Sequence, residues 1–249
     1  MRVLFIAPRL PLPADTGGKI RTFNLLKQIS RDHTVDLVTF SFDGEDAWHV
    51  QGFRELGIAV TLVQAPKDDT LRKAITVLFS ALPYSVSKYH SEKMKKAIVA
   101  LKAAKNYDVV HVDHIHMAHY QDCFQGSPRL VDEHNVEYKI LERCGNVEKS
   151  VLKHQLYSQQ AGKMKRFESR ALLQYSACTA VSQDDVNILK ELTGENIPVH
   201  VLPNGVDTEF FTSSGSQPQQ EEDALVFTGS LDWLPNDDAV VFFCREVLP

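Results

Sequence analysis

Short runs rich in Val, Ile and Leu alternate with longer amphipathic stretches along most of the chain. This alternation is typical of β-α-β units, in which helices cover both faces of a parallel sheet. Polar or turn residues bound each apolar run, and these runs predict strands at residues 3–7, 34–40, 58–63, 108–112, 129–133, 177–181 and 199–203. The sequence therefore predicts an α/β fold with a Rossmann-like, doubly wound parallel sheet.

The helical and linker patterns divide the chain. Amphipathic stretches predict helices over 19–30, 91–104, 150–173 and 183–192, and we expect residues 1–211 to form one complete domain. Residues 212–223, TSSGSQPQQEED, are poor in apolar side chains and predict an exposed linker. A strand at 224–228 and a helix from about 236 follow, and they cannot bury their apolar faces alone. We therefore expect 224–249 to be the start of a second, truncated α/β domain.

Composition excludes several classes of protein. The chain is 43% hydrophobic and 24% charged, which argues against disorder, and its net charge of −5 provides no global basic field for nucleic acid. The four cysteines form no CxxC pair, so we expect free thiols in a reducing cytosol. No apolar run approaches the roughly 20 residues that a membrane-spanning helix requires. The sequence therefore predicts a folded cytoplasmic protein.

The loop after the first predicted strand contains adjacent glycines. Gly17 and Gly18 precede a helix, where a backbone without side chains can approach a ligand and present N–H groups to an anion. Lys19 and Arg21 add positive charge. The loop matches neither GxGxxG nor a P-loop, so a dinucleotide-dependent dehydrogenase is disfavoured. A turn with only a structural role remains an alternative for the two glycines.

Two further strands end in histidines and acids. Asp113 and His114 follow one strand within DVVHVDHIHMAHY, where they predict a polar rim that binds an acceptor; divalent-metal binding and ordinary helix-start residues are the alternatives. We expect no metal, because neither HExxH nor a related pattern is present. The next strand ends in LVDEHN, where His134 can bind a hydroxyl group and titrate near neutrality, beside Asn135. A structural role for His134 is the alternative.

Two other features suggest contacts. Asn204 lies in VLPNGVD, where its side chain can close a turn between the first domain and the linker. The predicted helix at 91–104 carries Lys93, Lys96 and Lys102 around an apolar stripe. Such a helix is commonly half buried, but peripheral contact with the inner face of a membrane is an alternative.

Together these motifs resemble glycosyltransferase family 4, whose members have the two-domain GT-B fold. The features in chain order are the GG loop, DVVHVDH, EHN, AVSQDD, VLPNGVDTEFF and LVFTGSLDWLPN. The last is similar to the opening of the donor-binding domain in bacterial members linked to cell-surface polysaccharide. The resemblance covers essentially the whole chain and identifies residues 1–211 as an acceptor-side domain.

The resemblance implies retaining transfer of a sugar from a nucleotide diphosphate sugar to the hydroxyl of a carbohydrate or lipid-linked acceptor, without a metal or other cofactor. Gly17 and Gly18 match the glycine loop near the donor phosphates and the acceptor. His134 matches a histidine beside the reacting sugar, where it positions or deprotonates the hydroxyl. Gly229 and Ser230 match the turn that meets the donor diphosphate, where backbone donors stabilise developing negative charge.

The chain departs from the family pattern at the donor side. Ser230 stands where many members carry Arg, and Pro235 and Asn236 stand where many carry Lys-Gly. The ExxxxxxxE motif that binds the nucleotide would lie beyond Pro249, so we expect the chain alone to be inactive. A GT-B nucleotide-sugar epimerase and a non-catalytic carbohydrate- or acceptor-binding domain are the alternatives.

Overall fold

Seven parallel strands form one sheet in the computed structural model, which describes residues 1–42, 46–67, 77, 79–212, 224–231 and 234–248. The spatial order is β3-β2-β1-β4-β5-β6-β7. The strands are β1 Arg2–Ala7, β2 Thr34–Ser41, β3 Ala59–Gln64, β4 Val109–Asp113, β5 Arg129–Glu133, β6 Ala177–Ala180 and β7 Val199–Val201. The predicted α/β class and doubly wound parallel sheet are confirmed.

All seven strands of the first unit occur within a few residues of their predicted positions. The largest difference is in β7, which ends at Val201 rather than at residue 203. The N–H of Leu202 still donates to the carbonyl of Ala180, but Pro203 has no N–H to continue the ladder.

The helices of the described residues lie between the strands. They are α1 Gly17–Asp32, α2 Asp46–Glu55, α3 Tyr84–Ser87, α4 Glu92–Ala104, a 3₁₀ helix at Ile115–Phe124, α5 Glu137–Val147, α6 Val151–Leu172, α7 Gln183–Thr193 and α8 Leu234–Phe242. The sequence patterns did not predict α2, α3, α5 or the 3₁₀ helix. None of the described helices combines the length and apolar character needed to cross a membrane.

The sheet is buried on both faces. In β1, Leu4 and Ile6 pack into one hydrophobic cluster, while Val3 and Phe5 pack into a second. Successive side chains of a strand point to opposite faces, so a central strand covered on both sides needs apolar residues at every position. The uninterrupted apolar run near the start of the sequence thus forms an interior strand of the sheet.

Strand order changes direction beside β1, since β2 and β4 flank it on opposite sides. In sheets of this kind the loops at the carboxyl ends diverge at such a point and leave a crevice for ligands. The loops that follow β1, β4 and β5 contain the glycines and histidines singled out in the sequence. The topology therefore brings these three loops to one edge of the sheet.

The chain divides into two units, Met1–Asn204 and Gly205–Pro249. The first ends before residue 211, and residues 213–223 of the predicted linker lie outside the described residues. The predicted strand at 224–228 is wrong, because those residues are exposed and form no strand. An extended segment needs a neighbouring strand to pair its backbone N–H and C=O groups. The predicted helix is present as α8 and continues as a π-helix, Phe243–Val247.

Candidate active site at the carboxyl edge of the sheet

A buried ion pair links α1 to the end of β5. The Nε and Nη2 atoms of Arg21 donate to Oδ2 and Oδ1 of Asp132, each at 2.8 Å. Both side chains are buried, and the third donor, Nη1 of Arg21, reaches Oδ1 of Asn204 at 2.9 Å. The two parallel bonds fix both distance and orientation. Arg21 therefore connects the glycine-loop helix, the centre of the sheet and the final loop of the first unit.

His134 lies between two carboxylates. Its Nε2 is 2.9 Å from Oδ1 of Asp113 and 3.3 Å from Oδ2 of Asp132. Burial alone would lower the pKa of His134, but the charge of Asp113 and the hydrogen bonds to both carboxylates outweigh burial and raise it to about 9. The same contacts, with those of Arg21, hold the pKa of Asp132 below its usual value despite burial. His134 is therefore a charged imidazolium at neutral pH.

Threonine hydroxyls complete the bonding of the two carboxylates. Thr22 donates to Oδ2 of Asp113 at 2.9 Å, and Thr179 donates to Oδ1 of Asp132 at 2.6 Å. His134 donates one N–H and Arg21 donates two N–H groups to these carboxylates. The positive charges of His134 and Arg21 balance the negative charges of Asp113 and Asp132 in the buried network. All four carboxylate oxygens of Asp113 and Asp132 thus have partners, and these bonds position the imidazole of His134.

The free edge of His134 faces the glycine loop. A Cβ atom at Gly18 would lie 3.6 Å from Nδ1 of His134 and 3.6 Å from Nε2 of His114. The rings of His114 and His134 are in contact, with centroids 3.6 Å apart and planes inclined by 35°. His114 holds this place with a φ of 66°, uncommon for a residue with a side chain, while its N–H donates to the carbonyl of Asp132. A ligand above Gly18 would meet the Nδ1–H of His134.

The structure brings most of the predicted residues of the first unit together, with two differences. Helix α1 begins at Gly17, so both glycines lie in its first turn rather than before it. Lys19 forms an exposed ion pair with Asp15 at 2.9 Å instead of standing free beside the glycines. Asn135 is exposed next to His134, and Asn204 joins the network through Arg21. Gly229 and Ser230 belong to the second unit, where both are exposed.

The structural partners of His134 were not predicted from the sequence. The sequence predicted only a positive charge at Arg21, and it predicted no role for Asp132, Thr22 or Thr179. A usable signal was present, because Gly18, Arg21 and Thr22 are three and four residues apart and share one face of α1. The partner residues on β5 and β6 follow only from strand pairing, in which Asp132 is next to Thr179.

Several described side chains could hold a metal ion. Three sets place their ligand atoms within 4.8 Å of one another: Asp113 with His114 and His134, His111 with Asp113 and Asp132, and His114 with His116 and Glu137. In the first two sets the carboxylates are already bonded to His134, Arg21 or a threonine. In the third set, Nε2 of His116 is 3.7 Å from Oε2 of Glu137. Two imidazoles and one carboxylate form a set that suits cations with affinity for both kinds of ligand.

Two glutamates next to the site, Glu133 and Glu168, are buried, and Glu137 is partly buried. Glu133 is 1% exposed, and neither of its carboxylate oxygens has a hydrogen-bond partner among the described residues. Glu168, which is fully buried, accepts hydrogen bonds from the backbone N–H groups of Glu137 and Tyr138 at the start of α5. Burial raises the pKa of Glu133 well above its ordinary value, and the charges of Glu168 and Glu137 raise it further. Burial also raises the pKa of Glu168 to about 8.

We expect Glu133→Gln to stabilise the protein at pH 8 and to have a smaller effect at pH 5. A carboxyl group whose pKa is raised by folding favours the folded state below its unfolded pKa, near 4.5, and loses this contribution as the pH rises through its folded pKa. The neutral amide cannot ionise, so it avoids this loss. Thermal unfolding of both proteins at each pH measures the difference.

Glu142→Gln is the matched control, because Glu142 is a half-exposed partner of Lys139 on the same helix, α5. Its effect on the melting temperature should be small at both pH values. A difference between Glu133→Gln and the wild type that stays constant from pH 5 to pH 8 would contradict a raised pKa at Glu133.

The fold is that of GT-B glycosyltransferases. Sucrose-phosphate synthase from Thermosynechococcus elongatus has a TM-score of 0.56 at 15% identity, over 85% of this chain and 50% of that one. UGT2 from Phytolacca americana, complexed with UDP-2fluoro-glucose and pterostilbene, has a TM-score of 0.50 at 9% identity, over 84% of this chain and 55% of that one. The chain thus spans about half the length of these neighbours.

The sequence match is to one family. The family model Glycosyltransferase Family 4 matches residues 15–210, and the chain therefore belongs to glycosyltransferase family 4, as its motifs predicted. A comparison with curated proteins finds no significant match. The matched range includes the glycine loop, the buried Arg21–Asp132 pair and His134.

Proposed function

We propose that the chain is the acceptor-side part of a retaining glycosyltransferase that transfers a sugar from a nucleotide diphosphate sugar to the hydroxyl of a carbohydrate or lipid-linked acceptor. The family match supports transfer, and the observation that carries the proposed site is the imidazolium of His134 facing Gly18. Residues 224–249 would begin the donor-binding domain, with Gly229 and Ser230 near the diphosphate. The pathway proposed is cytoplasmic synthesis of cell-surface polysaccharide or glycolipid.

His134 acts in this proposal as a charged hydrogen-bond donor. Its Nε2–H is held by Asp113 and Asp132, which leaves Nδ1–H for an oxygen of the substrate above Gly18. A group with a pKa near 9 is already protonated at neutral pH, so it is a poor general base there. It is well suited to position a sugar hydroxyl or to stabilise negative charge on the departing diphosphate.

The glycine loop supports the same assignment. The first turn of α1 has backbone N–H groups that the side chain of Thr16 does not cap, and it carries the positive end of the helix dipole. No described atom lies within 4 Å of the position that a Cβ would take at Gly17. Arg21 is turned inward to Asp132 and cannot bind a ligand phosphate without breaking the buried pair. Binding of an anion at this loop therefore depends on backbone groups and on His134.

Release of a nucleoside diphosphate tests the proposal. The 249-residue chain and the chain extended by its own downstream coding sequence would each be incubated with UDP-, GDP-, ADP- and dTDP-sugars, with and without a lipid extract as acceptor. We expect acceptor-dependent release only from a protein that contains a complete donor domain. NMR of the product should show the anomeric configuration of the donor.

The outcomes separate the alternatives. Conversion of the nucleotide sugar to its epimer in the absence of acceptor would identify the protein as an epimerase rather than a transferase. Saturable glycan binding by the chain, unaffected by every nucleotide sugar and accompanied by no release from the extended protein, would identify a binding domain and refute the proposal. Transfer catalysed by the 249-residue chain alone would refute the assignment of a separate donor-binding part.

A further inference from the structure

Helix α6 is too long to lie alongside the sheet over its whole length. Its 22 residues extend about 33 Å, whereas the five residues of β5 span about 17 Å. After α6, Ser176 bonds to Arg129 at the amino end of β5, so α6 runs toward the amino edge of the sheet. Its first half therefore overhangs the carboxyl edge, on the side where His134 lies.

Helix α5 pairs with this overhanging half. It begins just after His134, where Glu168 of α6 binds its first N–H groups, and it runs back along α6 to a tight contact between Gly145 and Tyr157. Nδ1 of His154 bonds to the carbonyl of Gly145 at 2.8 Å. The α5–α6 hairpin is thus an ordered projection, tied to the site at one end.

The outer end of this hairpin is apolar and uncovered. The exposed fractions are 67% for Val147, 74% for Val151, 77% for Leu152 and 41% for Leu156. Leu152 and Leu156 continue the helical stripe of Gln160, which is 8% exposed and binds the backbone of Val77 and Tyr84. Described residues of the chain therefore cover the second half of the stripe, and within the described residues its first half is exposed. We call residues 143–156 the hairpin tip.

The charge of the hairpin tip differs from that of the whole chain. It contains Arg143, Lys149 and Lys153 but one acid, Glu148, which lies 4.0 Å from Nζ of the exposed Lys153, so the tip is net positive while the chain carries a net charge of −5. A second copy of the tip would bring like charges together. Exposed leucine and valine side chains with a lysine rim are instead the pattern that binds the interface of an anionic bilayer.

We propose that the hairpin tip docks on an anionic lipid surface, with Leu152 and Leu156 entering the interface and Lys149 and Lys153 contacting lipid phosphates. The tip lies beyond the same edge of the sheet as His134, so docking would place the candidate site above the membrane surface, within reach of a lipid-linked hydroxyl. The lysine helix α4, proposed from sequence as a membrane contact, is not part of this surface.

Vesicle co-sedimentation tests the docking surface. The chain should bind phosphatidylcholine vesicles that contain phosphatidylglycerol more tightly than vesicles of phosphatidylcholine alone. Leu152→Ser combined with Leu156→Ser should weaken binding at least about tenfold, because two apolar side chains no longer leave water. Lys149→Gln and Lys153→Gln should each weaken it about fivefold, and only on the anionic vesicles.

Val99→Ser is the matched control, since Val99 is 47% exposed on α4. It should bind vesicles like the wild type, and thermal unfolding should confirm that all variants are folded. Failure of the wild type to bind anionic vesicles at low salt would overturn the proposal, as would equal losses from Val99→Ser. The proposal would also be overturned if light scattering showed a dimer that the double leucine variant abolishes, and if the wild type bound no vesicles. No nucleotide sugar is needed, so these results are independent of the proposed transferase activity.

Discussion

Replacing Arg21 by Met should lower the free energy of unfolding by about 3–5 kcal/mol, the usual cost of removing one partner of a buried ion pair. Asp132 is fully buried and would lose both hydrogen bonds from the guanidinium. His134 and Thr179 would remain as its partners, but they cannot replace the bidentate contact. Urea unfolding followed by circular dichroism measures the change.

Lys19→Met provides the control for this prediction. Lys19, in the first turn of α1, forms an ion pair with Asp15, which precedes the helix and is 53% exposed, so the loss should be below about 1 kcal/mol. Adding Asp132→Asn to Arg21→Met should recover part of the loss, because it removes the uncompensated charge. If Arg21→Met and Lys19→Met proved equally stable, the buried pair would have no special importance for the fold.

His134→Gln should lower kcat about 100- to 1000-fold in the protein extended through a complete donor domain, the range seen when one charge-stabilising donor is removed. Folding should be affected much less, since Gln retains an amide N–H that can reach Asp113. Steady-state release of nucleoside diphosphate with saturating acceptor measures the rate. An unchanged kcat would remove His134 from the reaction.

The pH profile distinguishes a charged donor from a general base. If the imidazolium is the active form, activity should fall as the pH rises through about 9. Asp113→Asn should move this decline to lower pH, because the charge of Asp113 is the largest contribution that raises the pKa of His134. Activity that instead increases through the same range would identify neutral His134 as the active species.

The fold could be predicted largely from local patterns. Although β5, RLVDE, has only two apolar residues, interior strands such as β1 have a continuous apolar run, because burial on both faces imposes that composition on the strand itself. The strand predicted at 224–228 has the same kind of run but does not form. A strand also needs a neighbouring strand to pair its backbone N–H and C=O groups, so the apolar run at 224–228 was not enough to predict a strand.

The candidate site could be predicted only in part. Gly18, Asp113 and His134 follow strands of a parallel sheet, and parallel strands bring their carboxyl ends to one edge, so their proximity followed from the fold class. The state of His134 did not follow. Its isolated pKa lies near 6.5, and only the packing of Asp113 and Asp132 against Nε2 raises it to about 9.

The sequence by itself determined the α/β class, the doubly wound sheet and the membership of glycosyltransferase family 4, because hydrophobic periodicity and short motifs are properties of neighbouring residues. Only the tertiary structure decided that Arg21 turns inward to Asp132 and that the α5–α6 hairpin projects beyond the sheet. Arg21 and Asp132 are separated by 111 residues. Their charges interact through space, over distances that only the folded chain defines.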